Sequence, residues 1–310
     1  MDQLPISVSE TDYIIKGVEA NLRTDGRGNL DLREINLTTG VISQTYGSAR
    51  GRIGSLGRGT EIIVGIKAEI GNWIPGEKEN VGKIVCNVEI SPIANQSFGT
   101  RTAEDLNVEL TNIVSNCLDG PQSGLDLEQL CIIPKQAYWI LYVDAMVLSY
   151  EGNIIDPLFY TIRAAFSDVR IPKVVVESVL DEDTKVEHLA YEIVDDPSAV
   201  TEIKGWQDIP LSVTFYKIGK KYVVDTIPEE ENISTLRTTV CVNSSGEICL
   251  IHKGKYRGGM AYSLLSEALF EARKLVVDLI ASQNKQLESC QSNKDGMEVP
   301  DTGSTFLNAF

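Results

Sequence analysis

The sequence predicts an α+β protein made of two related units. Three observations carry that expectation. Short alternating strands punctuated by glycine give way to segments of helical period, and this strands-then-helix order occurs twice. An acidic, poorly periodic stretch from Asp181 to Trp206 separates the two occurrences. With 310 residues, 43% of them hydrophobic, the chain is long enough to bury a substantial core.

Taken in order, Ser9-Glu-Thr-Asp12 offers a capping box, and Ile14, Val18 and Leu22 follow at the four-residue spacing of one buried helix face. That helix is expected to stop near Asp25-Gly26-Arg27-Gly28. Leu32 to Thr38, Gly47 to Ile53 and Glu61 to Glu69 are short, β-branched or alternating, with glycine-rich breaks such as Gly54-Ser-Leu-Gly57, and predict antiparallel strands. Lys83 to Ile90 alternates strictly through Ile84, Cys86, Val88 and Ile90. After Thr100 the period changes, because Leu106, Leu110, Ile113, Val114 and Cys117 fall on one helical stripe. Tyr138 to Ser149 is apolar on both alternating faces except at Asp144, which predicts a strand covered on both sides with Asp144 as a buried carboxylate. Ile154 to Phe166 returns to helical spacing.

A boundary is expected near Gly205, giving a first unit over residues 1–205 and a second over 206–281. In the second, Leu211 to Tyr216 and Tyr222 to Asp225 predict a hairpin around Gly219-Lys220. Thr238 to Val242 and Glu247 to His252 predict another around Asn243-Ser-Ser-Gly246. A long amphipathic helix follows, with Leu265, Ala268, Ala272, Val276 and Leu279 on its apolar side. Residues 282–310 are rich in Ser, Asn, Gln, Asp and Gly and predict a disordered tail, in which Phe306 and Phe310 are the candidate docking residues.

Composition excludes several classes of function. No apolar run approaches the roughly 20 residues needed to span a bilayer, and Met1 to Glu10 lacks a secretory signal, so an intracellular protein without a membrane role is expected. The six cysteines, Cys86, Cys117, Cys131, Cys241, Cys249 and Cys290, form no Cys-x-x-Cys pair and are expected to be reduced packing residues. With only His188 and His252 available, neither a zinc site nor a His-dependent nucleophile has a recognisable signature, so no metal or cofactor is expected. A net charge of −16 argues against holding duplex nucleic acid on a broad basic face; any RNA contact must be local.

The most concentrated basic, glycine-rich stretch is Gly47-Ser-Ala-Arg50-Gly-Arg52-Ile-Gly-Ser-Leu-Gly-Arg58-Gly-Thr60, whose backbone can approach phosphates closely. It is not a Walker loop, because Thr60 stands where the phosphate lysine belongs and a strand follows. Arg50, Arg52 and Arg58 are therefore weighed equally as RNA contacts and as exposed arginines of a hairpin.

Read together, Leu22-Arg-Thr-Asp-Gly-Arg27, Gly47-Ser-Ala-Arg50, Ile63-Val-Gly-Ile-Lys-Ala68, Trp139 to Asp144 and Tyr150-Glu-Gly-Asn-Ile-Ile-Asp156 resemble the ordered blocks of the RNase PH family. The resemblance covers roughly residues 8 to 281, and Asp12 to Arg27 with Val64 to Glu69 bring the chain nearest to the family's exosome ring subunits. It implies an RNase PH fold, related to the second domain of ribosomal protein S5. It also implies a hexameric ring of paralogues that conducts single-stranded RNA, with cap subunits carrying S1 and KH domains and a catalytic nuclease elsewhere in the assembly. Ribosomal RNA maturation and RNA turnover in nucleus, nucleolus and cytoplasm would be the setting.

Active members of the family cleave the RNA 3′ end with phosphate, using a carboxylate pair, phosphate-holding arginines and a serine-bearing loop before the last helix. Asp225 falls at the first carboxylate position, but the second position holds Glu231 within a run of three glutamates. Gly258-Gly259-Met260 stands where the serine loop belongs, so Gly259 replaces the hydroxyl. Arg101 is alone where paired arginines are expected, and Glu104-Asp105 follow it. These departures predict a non-catalytic, RNA-guiding subunit, with Arg101 retained as an RNA contact. The alternative is an active phosphorolytic exoribonuclease using Asp225, Glu231 and Arg101. A third is a free-standing RNA-binding protein.

Overall fold

The computed structural model describes residues 6–294 apart from 56–57, 77–78, 95–99, 121–122, 181–186, 195, 197–198 and 257. The chain opens with helix α1 (Val8–Glu19), followed by strands β1 (Ile35–Thr39), β2 (Gly47–Ile53), β3 (Thr60–Asn72) and β4 (Lys83–Ile90). Helix α2 (Thr100–Leu118), strands β5 (Cys131–Ile133) and β6 (Ala137–Ser149) and helix α3 (Ile155–Ser167) complete the first unit. Its sheet has the order β1-β2-β3-β6-β4, with β5 added against β6, and all pairs are antiparallel except β4 with β6.

The connection holds β7 (Arg170–Pro172), β8 (Val174–Leu180), β9 (Glu187–Ile193) and β10 (Val200–Glu202). The second unit follows as β11 (Leu211–Ile218), β12 (Lys221–Val224), α4 (Pro228–Ile233), β13 (Leu236–Val242), β14 (Ile248–Lys253) and α5 (Tyr262–Lys294). Its sheet is antiparallel, in the order β12-β11-β13-β14. Among the described residues no helix is long and apolar enough to cross a membrane.

Helix α3 joins the two units. It packs on β2 and β3 on one side and on β11 on the other, so every residue from Ile155 to Phe166 is buried, including Asp156, Thr161 and Arg163. A helix apolar on nearly every face belongs in such a sandwiched position. Gly47 and Gly51 of β2 allow the close approach: a Cβ on Gly51 would stand 2.0 Å from the Thr161 hydroxyl, and one on Gly47 would stand 2.5 Å from Val169.

Four expectations are corrected. The N-cap of α1 is Ser7, whose hydroxyl accepts from the Glu10 amide, and Leu22 is exposed, because the helix ends at Glu19 and Asn21 turns left-handed. Asp144 is exposed: helices cover only one face of this sheet, and Asp144 lies with Met146 on the other face. The acidic connection contains paired strands, β8 with β9 and β10 with β7, rather than irregular chain throughout. Helix α5 continues through residues 282–294, expected to be tail, because Gln283 and Leu287 are buried against the body and repay their ordering. Phe306 and Phe310 lie outside the described residues.

The described cysteines are free thiols, with Cys86, Cys117 and Cys241 buried in the core. Burial pushes the Cys86 thiol up to about 12, which suits packing rather than reactivity.

Candidate functional site

The turn after β12 and the short helix α4 place Asp225, Glu230 and Glu231 in one buried region facing the block Tyr150 to Asp156 and the segment Arg23 to Arg33. Pro228 at the start of α4 and Glu230, which accepts from the Ile227 amide at 3.1 Å, fix this helical turn locally.

Asp225 is fully buried and left-handed, with φ of 48°. Oδ1 accepts from Arg33 Nη2 at 2.7 Å. Oδ2 accepts from Arg27 Nη1 at 2.9 Å, from the Arg33 amide at 2.8 Å and from Arg33 Nε at 2.9 Å. The Asp225 carbonyl accepts from Arg23 Nη2 and Arg27 Nη2. The Arg27 and Arg33 guanidinium groups thus hold both carboxylate oxygens, and the bonds of Arg23 and Arg27 to the Asp225 carbonyl help keep a residue without glycine's freedom in the left-handed region. Burial alone would raise its proton affinity, but Arg33 and Arg27 outweigh that and hold the carboxyl below the usual range.

Glu230 is buried with Arg23, accepting from Nε at 2.9 Å and Nη2 at 2.5 Å. Glu231 accepts from the Tyr216 hydroxyl at 2.7 Å, the Asn153 amide at 2.8 Å and the Thr226 hydroxyl at 3.4 Å, and also from the Tyr150 hydroxyl. Burial, joined by the Glu231 charge, pushes both tyrosine hydroxyls well above their ordinary value, so they remain donors. Asn153 bridges the region: its Nδ2 donates to Asp156 at 2.8 Å and reaches Asp225 at 3.5 Å, while its Oδ1 is buried without a partner among the described residues.

The space beside Glu231 is small. A cavity lined by Leu106, Tyr150, Tyr216, Glu231 and Arg237 measures about 10 Å³, close to the minimum for one water and too small for phosphate. Arg237 is already engaged, pairing with Glu109 and lying 5.9 Å from the Tyr256 ring centre. His252 Nε2 is 3.1 Å from the same Glu109 carboxylate, so this histidine at the end of β14 lies at the contact between the units.

Gly259 is exposed, and its carbonyl accepts from Lys217 Nζ at 2.9 Å. A Cβ there would meet nothing within 4 Å, so the missing serine reflects no lack of space. Among the described residues no three His, Cys, Asp or Glu side chains converge as metal ligands, and Asp225, ringed by arginines, is a poor donor to a cation.

The arginines read as RNA contacts separate. Arg50 and Arg52 lie on the open face of β2 and both pair with Glu61 of β3, Arg52 through Nε at 3.0 Å and Nη2 at 2.7 Å. Burial raises the proton affinity of Glu61, but the two arginines outweigh it and hold the carboxyl below its usual range. Glu61 thus offsets one of their two positive charges before any RNA arrives. Arg58 is exposed beside the undescribed 56–57, and Arg101 falls in the first turn of α2 with its side chain outside the described residues. Sequence reasoning did not anticipate Arg23, Arg33, Asn153, Tyr150 or Tyr216 around the carboxylates. The Arg-x-Asp-Gly-Arg run was the available signal, since arginines this close to an apolar helix need buried acids.

Residues 31–172 match the first domain of the 3′ exoribonuclease family, and residues 208–275 match its second domain. The exosome complex component Rrp42 of Methanopyrus kandleri is 32% identical over 278 residues, covering 88% of this chain and 95% of its own. The chain belongs to the RNase PH family. A further family relative, the exosome complex component Rrp42 of Methanothermobacter thermautotrophicus, is 35% identical over 237 residues, covering 75% of this chain and 79% of its own. The RNase PH fold is shared with an archaeal exosome core at a TM-score of 0.67 and 23% identity, covering 88% of this chain and 96% of that one. The Archaeoglobus fulgidus exosome with RNA bound to the active site aligns at 0.70 and 24% identity, with the same coverage.

Proposed function

We propose that this chain is a non-catalytic structural and RNA-guiding subunit of an exosome-type ring, acting in 3′-to-5′ RNA degradation and ribosomal RNA processing. The relatives named as exosome components support membership of such a ring. The observation that carries the non-catalytic reading is the engagement of both carboxylates: Asp225 is held by Arg27 and Arg33, and Glu231 by four hydrogen-bond donors. A general acid or base must exchange its proton with the reacting group within hydrogen-bond reach, and carboxylates whose oxygens are buried against fixed donors lack that access. The ring would contain RNase PH-like neighbours, S1 and KH cap subunits and a separate catalytic nuclease. Single-stranded RNA would be guided by local contacts such as Arg58 and Arg101.

The test is incubation of the purified chain, alone and in its native assembly, with labelled single-stranded RNA in the presence and absence of phosphate. No phosphate-dependent release of nucleoside diphosphates from the chain alone is expected, while the assembly contains RNase PH-like neighbours. Diphosphate release by the chain alone would establish the phosphorolytic alternative, and a monomer without neighbours would overturn the ring.

A further inference from the structure

A groove of about 250 Å³ lies between the later turns of α5 and the segment that leads into β1. Leu32, Ile35 and Leu37 line one side and Leu279 of α5 the other, while the fully buried Tyr160 and Leu211 close its base. Ser282 and Gln286, exposed on α5, stand at the rim. The volume falls below the roughly 300–1,000 Å³ of sites that enclose a small molecule, so the groove suits one large apolar side chain. β1 is the edge strand of its sheet and pairs, among the described residues, with β2 alone. An extended segment laid along that edge sends alternate side chains toward α5, over Ile35 and Leu37.

The chain itself supplies such a segment. Residues 295–310 continue from the end of α5 and include Thr305-Phe306-Leu-Asn-Ala-Phe310, the candidate docking residues that the proposed function leaves unused. From the groove residues Leu279 and Gln286 to the helix end at Lys294 is about 22 and 12 Å at the ordinary helical rise. Residues 295–305 then link Lys294 to Phe306, and a linker of that length spans roughly 17–21 Å. Effective concentration is greatest when linker length matches the span, and for a short linker it reaches the millimolar range, which favours this occupant over one arriving from solution.

We infer that the groove between β1 and α5 is the docking site of the chain's own segment 305–310, with Phe306 as its apolar anchor. Arg33 lines the same groove and holds Asp225, so the docked segment closes over the back of the candidate site.

The test uses the full chain at several protein concentrations. Amide exchange over residues 32–39 is expected to be at least fivefold faster in Phe306→Asp than in the parent, and protection in the parent is expected to be independent of concentration. With p-benzoylphenylalanine in place of Phe306, irradiation is expected to join position 306 to Ile35, Leu37 or Leu279 of the same chain, in adducts located by peptide mass mapping. Because that chain keeps an aromatic side chain at 306, the crosslink decides the matter even where Phe306→Asp disturbs folding. Crosslinks chiefly between chains, or protection that grows with concentration, overturn the inference in favour of a second copy. Crosslinks confined to other surfaces, or exchange over 32–39 unchanged in a folded Phe306→Asp chain, overturn it outright.

Discussion

Asp225 carries a buried charge held by two cations, because its side chain is fully buried between Arg27 and Arg33. Removing one partner of a buried pair leaves uncompensated charge, which typically costs about 3–5 kcal/mol. Asp225→Ala is therefore expected to lower the urea-unfolding free energy at neutral pH by about that amount. Because its folded-state proton affinity is depressed, this contribution is present above the ordinary carboxylate range and lost as pH falls through the folded value. Asp156 has the opposite sign. Burial raises it to about 6, although Asn153, Thr214 and Ser212 hydrogen-bond to it, so the folded chain binds a proton that the unfolded chain has released. Its contribution is full below the ordinary aspartate value of 3.8 and declines as pH rises to about 6. The stability difference between the parent chain and Asp156→Asn, measured by urea titration across this range, is expected to move against the parent as pH increases. A flat difference would refute that assignment.

At the scale of elements, α5 extends beyond the sheet it covers and ties the end of the chain to α3. Arg163 of α3, buried without an ion-pair partner within reach among the described residues, donates to Gln283 Oε1 at 3.1 Å, Asn284 Oδ1 at 2.7 Å and the Gln207 carbonyl at 2.5 Å. Its guanidinium also lies 5.6 Å from the Trp206 ring centre. Leu287, 1% exposed, packs into the main core one turn further on. Leu287→Ala is expected to cost about 2–5 kcal/mol in chemical denaturation, as for other large-to-small core changes. A change below 0.5 kcal/mol, the ordinary range of surface substitutions, would show that the end of α5 is peripheral to stability.

Across the whole molecule, the two units meet through the carboxylates of Asp225, Glu230 and Glu231 and the groups of the first unit that hold them. Restoring one lost feature therefore leaves the rest committed. Gly259→Ser has room for its hydroxyl, yet it is expected to release no nucleoside diphosphate from labelled RNA in phosphate buffer, because Asp225 and Glu231 remain locked. Phosphate-dependent turnover by this single variant would place the block at the serine alone.

By itself the sequence determined the α+β class, the order of most strands and helices, and the family, because hydrophobic period, glycine punctuation and block order are local properties of the chain. β2 and β4 match their expected bounds, Gly47–Ile53 and Lys83–Ile90, since strict alternation suffices to mark both. Local pattern failed where a distant segment decided the outcome. Asp144 was expected inside because its neighbours are apolar, yet only one sheet face is covered by helices; residues 282–294 read as tail until Arg163 and the core gave Gln283 and Leu287 partners. The same holds for the site. Asp225 and Glu231 were legible as positions, but their engagement depends on Arg27, Arg33, Tyr150, Asn153 and Tyr216, most of them many residues away along the chain. Whether a carboxylate is free for chemistry depends on which donors the fold brings to its lone pairs, and that information exists only in three dimensions.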